Sequence, residues 1–272
     1  MKISNNYEKS RGAVVFAFNT TTVDYVDIAA NAARLVKHTL NLPTTLITDK
    51  PVNNPAFDNV IIVENTFNNN RVGYEGGTQW RNGNRYSAYA LSPYDETLLI
   101  DSDYLVLDKS LLKLFDCTVD YKIMYNNQFL SKPSTTKMGL VGLDFVWATV
   151  IVFKKTEYSS MLFGLVKRIQ DNYHYYRNLY NITAGNFRND YAFAIANHIL
   201  NGYTKEEVHG IPWTMLTIDN VITSIDLQPT RMIIREETKA TVIPKQNIHI
   251  IDKSYLTSEN YKKFVDTICQ EN

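Results

Sequence analysis

Between residues 13 and 64 the chain alternates apolar extended runs with one long helical run, and that order limits the fold more than any other feature. AVVFAFN (13–19) reads as a buried strand. In VDYVDIAANAARLVKHTL (23–40), Val26, Ala29, Ala30, Ala33, Val36 and Leu40 share a helical face, and Pro43 marks the stop. TTLITD (44–49) and NVIIVE (59–64) are short apolar runs bounded by turn residues, as in strands covered on both faces. Strand–helix–strand order predicts an α/β fold with helices on a largely parallel sheet. Farther on, the spacing predicts helices over 85–91, 110–115, 156–170, 188–200 and 257–268. Strands are expected at 97–101, 121–126, 145–153 and 247–251, with 104–108 extended and the rest of 211–250 rich in turns. The Asn- and Gly-rich stretch 65–84 has no apolar period, which predicts a lid or binding loop, or else a disordered insertion. With no repeat and no linker, the expectation is one domain over 12–272 behind a loose polar tail, 1–11.

Composition excludes several classes of function. The 28 Lys+Arg equal the 28 Asp+Glu, so no global basic charge holds the chain on nucleic acid or membrane. The two cysteines, Cys117 and Cys269, lie far apart, which excludes a disulfide scaffold and a zinc finger and fits a reducing compartment. The apolar runs 13–18 and 145–153 fall far short of the ~18 residues of a membrane span. MKISNNYEKSRG has no apolar core, so no secretion leader is expected and a cytoplasmic setting is. The Asn-x-Thr matches at 19–21 and 181–183 are read as chance in that setting.

LLIDSDYLVL (98–107) carries the sharpest chemistry. Asp101 and Asp103 stand where one apolar run ends and another begins. Open α/β sheets bind ligands at the carboxyl ends of their strands. Acids at i and i+2 of an extended backbone point the same way, so both can reach one cation. Hard oxygen ligands suit magnesium or manganese, which would offset the charge of a departing nucleoside diphosphate. A lone Asp-x-Asp arises by chance about once in a chain of this length, so the pair counts only together with its surroundings.

Those surroundings complete a pattern. Arg85, a short helix, Tyr94-Asp95, an apolar strand, Asp101-Ser102-Asp103, a second apolar run and Leu114-Phe115 follow in order. The segment 85–115 resembles nucleotide-sugar glycosyltransferases of the GT-A fold, a Rossmann-like mixed sheet flanked by helices. It is most similar to the glycogenin-like and lipopolysaccharide-galactosyltransferase group, glycosyltransferase family eight. The resemblance is weaker elsewhere but runs in the right order to about residue 250. It implies that Asn19 and Tyr25 contact the nucleoside and that Arg85 contacts the diphosphate or ribose. A strand-end asparagine, a helix-surface tyrosine and a solvated arginine are the plain alternatives. It further implies a metal held by Asp101, Asp103 and His249, with Asp101 also serving the ribose and Lys253 gripping the diphosphate. Asp144 would touch the donor sugar and Asp190 would lie near the reacting carbon; capping a helix is the other role open to Asp190. Two departures stand out. Trp147-Ala148-Thr149 replaces the family's Asn-(Ser/Ala)-Gly, and His249 and Lys253 are four apart where six is usual.

The resemblance therefore implies a manganese- or magnesium-dependent transferase moving a sugar from a nucleoside-diphosphate sugar, UDP favoured, to an acceptor hydroxyl with retention. The acceptor itself is not legible; a glycan, a lipid-linked sugar and a protein hydroxyl are all open. The alternative is a hydroxymethylated DNA base, since compact enzymes of this kind resemble phage-encoded ones. Lys154, Lys155, Lys167, Arg168, Arg177 and Arg188, with Tyr173, Tyr175 and Tyr176 among them, would then face DNA, or else form a solvated surface. A sugar-nucleotide-binding protein without turnover is the non-enzyme alternative. A nucleotidyltransferase ranks lower, because Asn19-Thr20-Thr21-Thr22 offers no glycine-rich phosphate loop.

Overall fold

β1 (Arg11–Phe16) begins at the last residue of the expected tail, and Gly12 shows how it is seated. A Cβ at Gly12 would stand 2.3 Å from the ring of Tyr94, so only glycine lets the strand lie against that ring. The Tyr94 hydroxyl meets Thr45 Oγ1 at 2.9 Å. Asp95 accepts the Ser10 N–H at 3.0 Å and the Ser10 hydroxyl at 2.8 Å, and these bonds hold its carboxyl below the ordinary value. Tyr94 and Asp95 thus fasten the start of the chain to the strand that follows them. The computed structural model describes residues 9–66, 69–71, 78–133, 137–138, 142–183, 185–204 and 208–270, so most of the expected tail lies outside the described residues.

α1 (Tyr25–Leu40) opens on Asp24, whose side chain accepts the Asp27 N–H at 3.0 Å, and closes on Asn41 in the left-handed region. Periodicity predicts one apolar face for it, but the helix is buried on three. Val36 and Leu40 join the main core, while Ile28 and Leu35 enter a second core. Ala29, Ala30 and Ala33 pack on Val15, Leu46 and Phe57. β2 (Thr44–Thr48) and β3 (Asn59–Ile62) follow as expected. Within the expected loop, β4 (Asn69–Arg71) and β5 (Thr78–Trp80) pair antiparallel, so its described part holds a hairpin; 67–68 and 72–77 lie outside the described residues.

A 3-10 turn (Arg85–Ser87) and α2 (Ala88–Leu91) lead into β6 (Glu96–Ile100), buried along its whole length. Then come β7 (Tyr104–Leu105), a 3-10 turn (Ser110–Leu114), β8 (Tyr121–Met124) and β9 (Asn127–Phe129). β10 (Lys137–Met138) and β11 (Leu143–Asp144) form a small hairpin before β12 (Trp147–Lys154). The helices α3 (Glu157–Asp171), α4 (Tyr173–Leu179) and α5 (Asn189–Leu200) follow. The last part holds β13 (Met215–Ile218), β14 (Ser224–Leu227), β15 (Arg231–Arg235), β16 (Ala240–Pro244) and β17 (Ile248–Ile250), then α6 (Lys253–Leu256) and α7 (Glu259–Gln270).

The architecture is mixed α/β. A six-stranded sheet runs β3-β2-β1-β6-β12-β8, parallel from β3 to β6 and antiparallel at β12 and β8. A second sheet runs β7-β17-β13-β9, and β14-β15-β16 form a third. α1 packs on β1 and β2, α5 on β12, and α7 against both α1 and β14. β6 and β7 belong to different sheets, and the three residues between them are Asp101, Ser102 and Asp103.

Candidate active site

β1 and β6 are parallel neighbours whose following segments leave in opposite directions, because β2 and β3 continue from β1 on one side only. Such a reversal opens a crevice outside the carboxyl ends of the two strands. A cleft of about 500 Å³ lies there, lined after β1 by Phe18 and Thr20 and after β6 by Asp101, Ser102 and Asp103. Tyr25, Trp80, Phe129, Phe145 and Trp147 supply aromatic walls.

The two acids do not share an extended backbone. Residues 102–103 form a turn, with the Tyr104 N–H donating to the Asp101 carbonyl at 3.1 Å. The chain is changing sheets here: the Asp101 N–H donates to Thr149 of β12, and the Asp103 carbonyl accepts from Ile250 of β17. The side chains consequently take different partners. Asp101 accepts from the buried guanidinium of Arg85, and Asp103 accepts from the ammonium of Lys253. Burial raises the Asp101 carboxyl above its ordinary value, and Arg85 only partly offsets this. Burial also works against the charge of Asp103, yet Lys253 and His249 outweigh it and hold that carboxyl well below the usual range.

A divalent cation would need Asp101, Asp103 and His249 turned onto one point. Among the described residues, no three His, Cys, Asp or Glu side chains converge in that way. His249 sits on β17 opposite Tyr104, with Nδ1 3.2 Å from the Thr217 hydroxyl and Nε2 3.5 Å from Oδ1 of Asp103. That Oδ1 is buried and has no hydrogen bond, but the other oxygen belongs to Lys253 and Asp101 is turned to Arg85. Asp103 and His249 make a facing pair; as placed, the expected three-ligand set does not fit a metal.

Asp190 lines the cleft from the first turn of α5, whose cap residue is Arg188 and carries no side-chain cap bond. Its Oδ1 accepts the Ala148 N–H at 3.0 Å, and its Oδ2 meets Arg188 at 2.7–2.9 Å. Tyr25 also lines the cleft. Asn19 does not: its side chain accepts the Val26 N–H at 2.9 Å and its carbonyl accepts from Arg81, which positions the turn between β1 and α1. Asp144 also lies outside the cleft, paired with Lys137 in a separate cavity.

Sequence reasoning points to Trp80 and Arg81 only as part of the loop 65–84, to Arg188 only as a DNA-facing cation and to Lys132 not at all, yet all four line the cleft. A Trp-Arg-Asn triplet inside a polar loop, and an arginine two residues before Asp190, were the available signals. With these included, five Lys and Arg side chains among the described residues line the cleft, and each has a carboxylate partner. The pairs are Arg81–Asp49, Arg85–Asp101, Lys132–Asp219, Arg188–Asp190 and Lys253–Asp103. Buried polar atoms without hydrogen-bond partners also gather on its residues: Asn82 Oδ1, Arg85 Nε, Asp103 Oδ1, Trp147 Nε1 and Asn189 Oδ1.

The basic stretch considered for DNA is largely engaged within the chain. Lys154 and Lys155 donate to the carbonyls of Cys117 and Tyr89, and Lys167 pairs with Asp171. Arg177 donates to Ile182 and Thr183, and Arg188 holds Asp190. Tyr173 packs edge-on against Phe187, while Tyr175 is exposed.

No protein-family model and no curated protein matches the sequence. Among solved structures the chain is similar to the glycosyltransferase GlyE of Streptococcus pneumoniae TIGR4, at 14% identity and a TM-score of 0.41. That match covers 70% of this chain and 43% of GlyE, so the chain spans under half of GlyE's length. The chain is also similar to the galactosyltransferase LgtC, solved in complex with donor and acceptor sugar analogs. There the identity is 14% and the TM-score 0.46, over 68% of this chain and 70% of LgtC. Likeness at this level says nothing of substrate.

Proposed function

We propose that the cleft binds a nucleoside-diphosphate sugar and transfers the sugar to an acceptor hydroxyl. The observation that carries this reading is the position of the acid–cation pairs, at the carboxyl ends of β1 and β6 where the strand order reverses. Aromatic side chains suit a base, and paired cations can exchange a carboxylate for a phosphate. Retention and a UDP donor remain the expectation from the resemblance.

In the reaction the bond between the anomeric carbon and the diphosphate oxygen breaks, and the diphosphate leaves with the electron pair. Lys253 and Arg85 turn from Asp103 and Asp101 toward the departing charge. The positive charge that develops on the sugar faces the Asp190 carboxylate, which Ala148 and Arg188 hold in place. The acceptor oxygen then bonds to the anomeric carbon, and its proton passes to the released diphosphate. Manganese or magnesium stays an expectation, and no step is derived through it.

The test is release of nucleoside diphosphate from a panel of UDP- and GDP-sugars, with manganese or with EDTA, on wild type and Asp103→Ala. Release from one donor, lost in the variant, is expected. Nucleotide binding without release from any donor, acceptors included, would move the reading to a sugar-nucleotide-binding protein. Absence of both binding and release would remove the nucleotide site.

A further inference from the structure

A second cavity, of about 410 Å³, lies along α5 from the first and contains Asp144. Asp190 opens α5 in the main cleft, and Asn197 and His198 line the second cavity two turns later, about 10 Å along the axis. Phe145 and Asp144, adjacent in sequence, line the first and second cavity respectively.

The second cavity is organised for a neutral, hydroxyl-rich ligand. Among the described residues its charged side chains are Lys137 and Asp144, and they pair with each other. Its polar floor is fixed from behind. Buried Asn197 accepts the Tyr121 hydroxyl at 2.7 Å and donates to the Tyr125 oxygen, leaving the Tyr125 proton to be given. Burial and Asp144 push the Tyr125 phenol well above its ordinary value, so it stays a donor at working pH. One wall is aromatic: Tyr180 meets His198 edge-on at 6.0 Å, and His198 meets Tyr203 edge-on at 5.4 Å.

Tyr203 adds an independent observation. It follows Gly202 in the left-handed region, with φ of 65°, where a bulky side chain is strained. It is nevertheless 66% exposed, so its own burial does not repay that strain. The backbone turn at the end of α5 holds it, with the Tyr203 N–H donating to the His198 carbonyl at 2.9 Å. A strained, exposed ring at the mouth of a neutral polar cavity has the form of a stacking platform.

We propose that this cavity is a saccharide subsite, taking a sugar unit of an acceptor oligosaccharide beyond the one that is modified. Aromatic rings would cover the apolar face of the sugar, while Tyr125, Asn197 and the Lys137–Asp144 pair meet its hydroxyls. Its role as an acceptor subsite rests on the glycosyl-transfer reading; its binding of saccharide does not.

The experiment titrates lactose, cellobiose, maltotriose and triacetylchitotriose onto the full chain by saturation-transfer NMR, with UDP titrated separately as reporter of the main cleft. At least one saccharide should bind, and saturating UDP should not displace it. Tyr203→Gly relieves the backbone strain, so the variant should melt no lower than wild type, yet it should weaken the saccharide about tenfold. Tyr203→Phe should keep the affinity. Failure of every saccharide to bind, displacement by UDP, or indifference to Tyr203→Gly each overturns the subsite. Tyr203-dependent saccharide binding in a protein that does not bind UDP upholds the subsite and sinks the transferase reading.

Discussion

Lys253 and Asp103 face each other across two elements, and each is mostly shielded from water. Removing one partner of such a pair strands the other, and costs on the order of 2 kcal/mol. Lys253→Met should therefore lower stability while freeing Asp103 for a metal. In a manganese titration followed by paramagnetic resonance, wild type should bind the ion at most weakly, because Lys253 occupies Asp103. The variant should bind it about tenfold more tightly. Equal affinity in both proteins would take Asp103 out of any metal set. The same carboxylate sets an acid limit. Its folded value lies below the unfolded one, so its stabilisation is whole at neutral pH and is lost as pH falls below about 4. Asp103→Asn should flatten that part of the acid-melting curve.

At the scale of elements, Gly12 and Tyr94 set the approach of β1 to the turn before β6. Gly12→Ala should cost about 1–3 kcal/mol by overpacking, read as a lower urea midpoint, and Tyr94→Leu should recover part of it. The strands and helices that the sequence made legible are those with a local signal. β1, β2, β6 and β12 carry short runs of apolar and β-branched residues, and α1, α3, α5 and α7 keep a helical period. β9 and β13 are short and gain their identity from partners far along the chain, as when Met215 pairs with Asn127. β15 does alternate, with Met232 and Ile234 buried between exposed arginines, a period-two signal hidden among turn residues. Of the residues the sequence pointed to, Tyr25, Arg85, Asp101, Asp103, Asp190, His249 and Lys253 line the cleft. Their partners were not legible, because what Asp101 and Asp103 touch depends on a change of sheet that spacing cannot express. Asn19 and Asp144 went elsewhere for the same reason: a position along the chain does not say which wall a side chain lines.

On the scale of the molecule, α1 enters the main core through Val36, the second through Leu35 and the third through Ala29. Leu35→Ala should cost about 2–5 kcal/mol. Unfolding in urea should still follow one transition, with tryptophan fluorescence and far-ultraviolet dichroism superimposable. Separated transitions would mean that the cores melt independently. The switch from β6 to β7 has a consequence of another kind. Three residues carry the chain from one sheet to the other, and both ends are pinned by strand pairing. A library of single-residue insertions and deletions should therefore show a sharp trough of tolerance at 101–103, in a segment with almost no apolar content. The hairpin around 65–84 should absorb changes of length. Read as a map, that trough would mark the one place where the number of residues, more than their kind, is under constraint.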